Sequence, residues 1–278
     1  MHHHSAIGPA RRADIAFPAR LVNPPLGLSP HHGATPVLPS GAGDAYTPPG
    51  SVDEAAGGMN YAEARRRMVD GQVRPNRVTD HRILRAMQEV PRELFVPENL
   101  RVRSLSDEDL ALGGGRVLLQ PMVIAQLLQL AEPRPAERVL LLASGTGYGA
   151  ALLAHMGCQV VAVEDDKALL ELAGPALAAS DLPAGAIRQH QGNPAAGFPD
   201  GAPYDLILIE GAVSSVPPAL VDQLTDGGRL VAIRCAPGEA GSAIIGRRVA
   251  GHLSIAEAFD VRGTPIPAFA PKPGFQFV

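Results

Sequence analysis

Cysteine is scarce in this chain. Cys158 and Cys235 are the only two, too few for a disulfide framework or a four-cysteine zinc site. Both stand among apolar neighbours, where a thiol behaves as a small hydrophobe, and the reading is a reducing, cytoplasmic compartment. Long hydrophobic runs are missing as well. None approaches the roughly 18 to 20 residues that a helix needs to cross a bilayer, which excludes a membrane-spanning helix, and no apolar stretch behind a basic start marks a secretory signal. His81, His155, His190 and His252 are scattered without ligand spacing, so no metal site is expected.

What is present is enough chain for an enzyme: 278 residues, 46% of them hydrophobic, fill one large α/β domain or two small ones without a covalent or metal staple. Residues 1–58 hold nine of the 27 prolines and eight of the 30 glycines with no helix or strand period; they are expected to be a disordered extension, too flexible for His2, His3, His4, His31 and His32 to organise a metal. The domain is read as 59–278, divided into a helical cap and substrate loop (59–121) and a Rossmann-like core (122–278). Charge is uneven. Residues 59–103 carry ten arginines against six acids, whereas 104–278 carry eleven basic groups against eighteen acids. The Arg65 to Arg85 stretch therefore offers either a solvated helix face or a surface for an anionic partner such as RNA, and the first reading is preferred.

The patterning predicts helices over 61–70 and 82–89, the second capped by Thr79 or Asp80. A polar stretch, the triple glycine 113–115 and a loop over 116–121 follow, then a buried helix over 122–130 with Pro121 in its first turn. After Pro135, continuous apolar strands at 138–142, 159–163, 187–190, 204–209 and 229–233 alternate with helices, which predicts a doubly wound, mostly parallel α/β sheet. From Ser242 the helices stop, and 243–249 with 253–261 read as an antiparallel hairpin. Residues 274–278 complete a β-rich C-terminus.

The first strand of this sheet runs into Ala143-Ser-Gly-Thr-Gly-Tyr-Gly149. Small residues there let the backbone approach a ligand and aim amide N–H groups at it. Nineteen residues past Gly145, Glu164 ends the second strand, where a carboxylate can accept both hydroxyls of a ribose. Gly145 to Ala150 also fits the dinucleotide pattern G-x-G-x-x-A, but no separate substrate domain remains for an NAD-dependent dehydrogenase. S-adenosylmethionine fits better.

Beyond these residues the chain resembles the protein-L-isoaspartate O-methyltransferases. The resemblance is carried by Met68-Val-Asp-Gly-Gln72, Val90-Pro-Arg-Glu-Leu-Phe-Val-Pro97, Gly115-Arg-Val-Leu-Leu-Gln-Pro121, the strand-turn 139–151, the segment 204–212 and Gln223-Leu-Thr-Asp-Gly-Gly-Arg-Leu-Val231. It implies a class I S-adenosylmethionine-dependent methyltransferase fold with antiparallel C-terminal strands and an N-terminal helical cap. It also implies S-adenosyl-L-methionine as donor and methyl esterification of isoaspartyl residues in protein or peptide substrates, a protein-repair activity. Ser144, Gly145, Gly147, Tyr148 and Glu164 are then expected to hold the donor, with Gly192 and Asn193 at the adenine edge.

The sequence departs from the family where the chemistry happens. The family's Thr-Ile-Ser-Gln-Pro is Val117-Leu118-Leu119-Gln120-Pro121 here, so Leu119 stands at the serine usually treated as catalytic, and Gln120 is the remaining candidate for positioning substrate. Leu141 stands where the family has an acid, Ala143 where it has a glycine, and Gly192-Asn193-Pro194 where it has Gly-Asp-Gly. Two expectations for Glu210 stay open: it lines the donor pocket and supplies the charge missing at Leu141, or it caps the helix after it. Rival readings are a member of the fold that binds donor or partner without turnover, and a methyltransferase redirected to RNA or another anionic acceptor.

Overall fold

In the computed structural model, residues 59–235 and 241–270 are described; the extension 1–58 and the β-rich segment expected at 274–278 lie outside them. The cap begins with α1 (Tyr61–Met68), whose first turn is closed by the Asn60 side-chain oxygen accepting the Glu63 amide at 3.2 Å, and continues in a π-helical turn, Val69–Val73. Helix α2 (His81–Glu89) is capped by Asp80, which accepts the Arg82 amide at 2.8 Å. Ile83, Leu84, Ala86 and Met87 are buried along its inner stripe, the face its 3- and 4-residue spacing prescribes.

The segment read as a loop before the buried helix is instead an antiparallel hairpin of β1 (Leu110–Gly113) and β2 (Arg116–Leu118). Gly113, Gly114 and Gly115 all have positive φ, so the triple glycine is the turn itself. Helix α3 (Pro121–Ala131) follows, with Pro121 in its first turn and seven residues buried.

The core runs β3 (Arg138–Leu142), α4 (Tyr148–His155), β4 (Gln159–Glu164), α5 (Lys167–Ala178), β5 (Ile187–Gln191), β6 (Tyr204–Val213), α6 (Pro218–Asp222), β7 (Leu224–Arg234), β8 (Ser242–Val249) and β9 (His252–Asp260). The sheet has the order β5-β4-β3-β6-β7-β8-β9. Pairs from β5 to β7 are parallel, and β7-β8-β9 are antiparallel. Alternate side chains feed two cores. Val139, Leu141, Leu206, Leu208, Val231 and Ile233 pack with the cap and α3, while Leu140, Leu142, Ile207, Ile209, Leu230 and Ala232 pack with Leu220 of α6. Each such side chain contributes about 1.5 to 3 kcal/mol when fully buried. Strand β3 has β4 on one side and β6 on the other, so the connections leaving it diverge and open a crevice at the carboxyl ends of the strands. That edge carries the glycine-rich turn, Glu164 and Glu210. Among the described residues no helix is long and apolar enough to cross a membrane.

Candidate active site

The turn from β3 to α4 is built by left-handed backbone at Ala143, Gly145 and Gly147, with φ of 54, 53 and 89°. Ala143 holds a conformation that costs a non-glycine residue roughly 1 to 2 kcal/mol. A Cβ at Gly147 would meet Leu177 at 3.4 Å and Ala173 at 3.5 Å, ordinary contact distances, so the left-handed backbone rather than space is what calls for glycine there. Thr146 is fixed from the cap side, donating to the Phe95 carbonyl at 2.6 Å.

Glu164 ends β4 fully buried. One carboxylate oxygen accepts the Gly145 amide at 2.8 Å; the other accepts the amides of Asp165 and Asp166 at 3.0 and 3.1 Å. Its remaining partner is Arg116 of β2, whose Nε reaches the two oxygens at 3.1 and 3.3 Å while Nη2 pairs with Asp165. The hairpin is thereby pinned over the crevice. Leu112 lies against Gly145, and Asp166 fills the space beside Gly114. What remains open below is a cleft of about 10 Å³ lined by Leu119, Ile124, Ser144, Tyr148 and Glu210 among others, the room of a single water molecule.

Leu119 is 4% exposed and packs in the core. Its carbonyl accepts Nη2 of Arg92 at 2.7 Å, and Nε of the same fully buried guanidinium holds the Ser104 carbonyl at 2.6 Å. Arg92 also lies over the Tyr148 ring, 4.8 Å from its centroid, and Phe95 meets that ring edge-on at 5.5 Å. Three buried polar atoms here have no partner: Arg92 Nη1, Tyr148 Oη and Ser144 Oγ. Burial pushes the Tyr148 hydroxyl up to about 12. Burial likewise pushes the Glu210 carboxyl up to about 8, Arg92 opposing and Glu164 reinforcing the shift. Glu210 sits beside Gly149, where a Cβ would fall 1.7 Å from Oε1; the missing side chain on α4 is what makes room for the carboxylate on β6.

The stretch of sequence that builds this site is matched in other proteins. The family model for protein-L-isoaspartate(D-aspartate) O-methyltransferase matches residues 64–253. The chain belongs to this family. The Methylorubrum populi protein-L-isoaspartate O-methyltransferase is 42% identical over 60% of this chain and 78% of its own length. That of Burkholderia vietnamiensis is 36% identical over 82% of this chain and 77% of its own length. Among solved structures, a protein-L-isoaspartate O-methyltransferase covering 74% of this chain and 65% of its own superposes with a TM-score of 0.61 at 23% identity. A β-aspartate methyltransferase from Plasmodium falciparum, solved with S-adenosyl-L-homocysteine, gives 0.62 at 18% identity over 73% of this chain and 98% of its own. Both share the fold.

Within this protein-L-isoaspartate O-methyltransferase family member, Ser144, Gly145, Gly147, Tyr148 and Glu164 are brought together at the crevice. Gly192 joins them through its amide, which donates to the Glu164 carbonyl at 3.0 Å. Asn193 is exposed at the same edge, with Oδ1 accepting the Ala195 amide at 2.9 Å. Gln120 precedes α3, its backbone amide held by Asp109 at 2.8 Å and its side chain without a hydrogen bond among the described residues. Leu141 is fully buried in the core, so that position offers nothing polar. Six of the seven arginines from Arg65 to Arg85 face carboxylates, and Arg77 is exposed with no ion pair among the described residues. Arg65 pairs with Glu93, Arg66 and Arg67 with Glu63, Arg74 with Asp70, Arg82 with Asp80 and Arg85 with Glu89. Sequence reasoning passed over Arg92 and Arg116; for Arg116 the available signal was a lone charge at the head of an apolar stretch, which burial tolerates only when paired.

Proposed function

We propose that this chain transfers the methyl group of S-adenosylmethionine to the free carboxylate of isoaspartyl residues in proteins or peptides. Membership in the family supports the reaction, and the observation that carries the donor is the crevice itself: orphaned hydroxyls of Ser144 and Tyr148 beside Glu210, backbone freed of side chains at Gly145, Gly147 and Gly149, and Glu164 at the next strand end. As closed, the cleft has room for a single water molecule; once the β1-β2 hairpin lifts, these residues offer the polar groups that an adenosyl amino acid needs. Glu164 would hold the ribose, Gly192 and Asn193 would border the adenine, and Ser144, Tyr148 and Glu210 would face the amino-acid end. The donor supplies an electrophilic methyl on a sulfonium.

Nothing in the reaction demands a base. The acceptor carboxylate is ionised at pH 7, so this chain's residues need only hold it in line and exclude water. A serine hydroxyl at position 119 would have added one hydrogen bond to a charged group. Its replacement by leucine costs on the order of 1.5 to 3 kcal/mol, about one to two decades in rate. The Gln120 amide, unengaged by the described residues, is the group that positions substrate here. The test is labelled methyl transfer to matched isoaspartyl and aspartyl peptides by the full chain and by Leu119→Ser. Base-labile ester on the isoaspartyl peptide alone, rising about 10- to 100-fold in the serine variant, supports the reading. Donor binding with no ester from either protein leaves a binding member of the fold, and transfer to RNA instead would redirect the acceptor.

A further inference from the structure

Glu210 is the one carboxylate that lines the cleft, and among the described residues no hydrogen bond reaches it. Its neighbours there are the hydroxyls of Ser144 and Tyr148, on residues 2% and 1% exposed, and each lacks a partner. Two buried hydroxyls without partners, converging with a carboxylate on a space of about 10 Å³, are costly unless something fills it. An anion is repelled by the carboxylate. A neutral molecule leaves the half-buried carboxyl protonated. A primary ammonium fits on both counts, since it brings three N–H donors, no acceptor and the opposite charge.

We infer that Glu210, Ser144 and Tyr148 form the subsite for the α-ammonium of the adenosyl donor, in this chain's own way, because residue 141 is apolar core. The inference rests on the donor reading and sharpens it. Gly149 is part of the same device, since a side chain on that first turn of α4 would displace the carboxylate. The charged and titratable groups facing Glu210 are Arg92 from the segment Arg92–Phe95, Glu164 from β4 and Tyr148 from α4. With its carboxyl held up to about 8 by burial, binding of a cation ionises it, and the proton leaves to buffer.

The experiment is calorimetric titration of the full chain and of Glu210→Gln with S-adenosylhomocysteine, S-adenosylmethionine and 5′-methylthioadenosine, which lacks the amino-acid end. At pH 7 the substitution is expected to weaken the first two by about 10- to 100-fold and to leave methylthioadenosine within about twofold. Wild type is expected to release most of a proton per S-adenosylhomocysteine, read from two buffers of different ionisation heat, and none with methylthioadenosine. Gly149→Ala should reproduce the split with Glu210 intact. Equal effects on all three ligands, or none, overturn the inference, as does a loss confined to S-adenosylmethionine, which would move the carboxylate to the sulfonium. If wild type binds none of the three, the donor reading falls and this assignment with it.

Discussion

Residue by residue, the site is a set of buried polar groups held against their preference for water. Glu210 shows the cost most directly. A carboxyl whose folded pKa is raised to about 8 keeps its proton in the native state while the unfolded chain loses it near pH 4 to 5. The native state therefore forfeits stability as pH climbs from that point to about 8, and forfeits nothing below it. Replacing Glu210 by Gln is expected to raise the unfolding midpoint at pH 8, on the order of a few kcal/mol, and to change it little at pH 4. Thermal or urea unfolding at the two pH values checks this; an equal effect at both would show that the group is not desolvated in the native state. Such a stability cost is what a group reserved for a ligand carries. Arg92 is buried for the opposite purpose: two of its nitrogens tie the carbonyls of Ser104 and Leu119 together, fixing the backbone beside the cleft whatever side chain occupies position 119.

Among the elements, the β1-β2 hairpin decides access. Arg116 bridges it to Glu164 and Asp165, so admission of a nucleoside requires the hairpin to lift and the Arg116–Glu164 pair to part. Arg116→Gln is expected to speed S-adenosylhomocysteine association and to tighten binding, while lowering global stability by about 3 kcal/mol because a buried carboxylate loses its partner. Stopped-flow binding and urea unfolding on the same variant measure the two. Slower or weaker association would mean that Arg116 belongs to the bound state instead.

These elements also divide what was readable from sequence and what was not. Strands β3, β4 and β6 were legible because burial on both faces leaves continuous apolar runs such as 138–142. The hairpin was read as loop, since strands of four and three residues are too short to show a period and three consecutive glycines announce only a turn. The glycine turn and Glu164 were visible together through their spacing. The cover over them was not: Arg116 and Glu164 are 48 residues apart, and no local rule joins them. Glu210 was noticed as an isolated acid after a buried strand. Its complement, the missing Cβ at Gly149, is a fact of packing between β6 and α4.

At the scale of the whole molecule, the cap, sheet and crevice depend on a clasp at the opposite edge. Arg229 of β7 grips both oxygens of Glu137 at 2.9 and 2.7 Å and also holds the Glu132 carbonyl at 2.7 Å, tying the end of α3 to the start of β3 and the middle of β7. Burial alone would raise the Glu137 carboxyl; Arg229 and the Arg134 amide outweigh it and hold the group below its usual range. A lowered carboxylate gives its stability above the unfolded value of about 4.3 and loses it as pH falls through the folded one. Glu137→Gln should therefore cost about 1 to 2 kcal/mol at pH 7, after allowing for solvent screening, and progressively less towards pH 3. Urea midpoints across that range test it; a cost that does not shrink would place the effect in packing.

One claim bears all the others: the closed cleft opens to an adenosyl donor held between the glycine turn and Glu164. Hydrogen exchange of the full chain with and without S-adenosylmethionine tests it directly. Bound donor is expected to slow exchange of the amides at 143–149 and 164–166 and to alter exchange across the hairpin 110–118. Identical exchange in both states at saturating donor would contradict it.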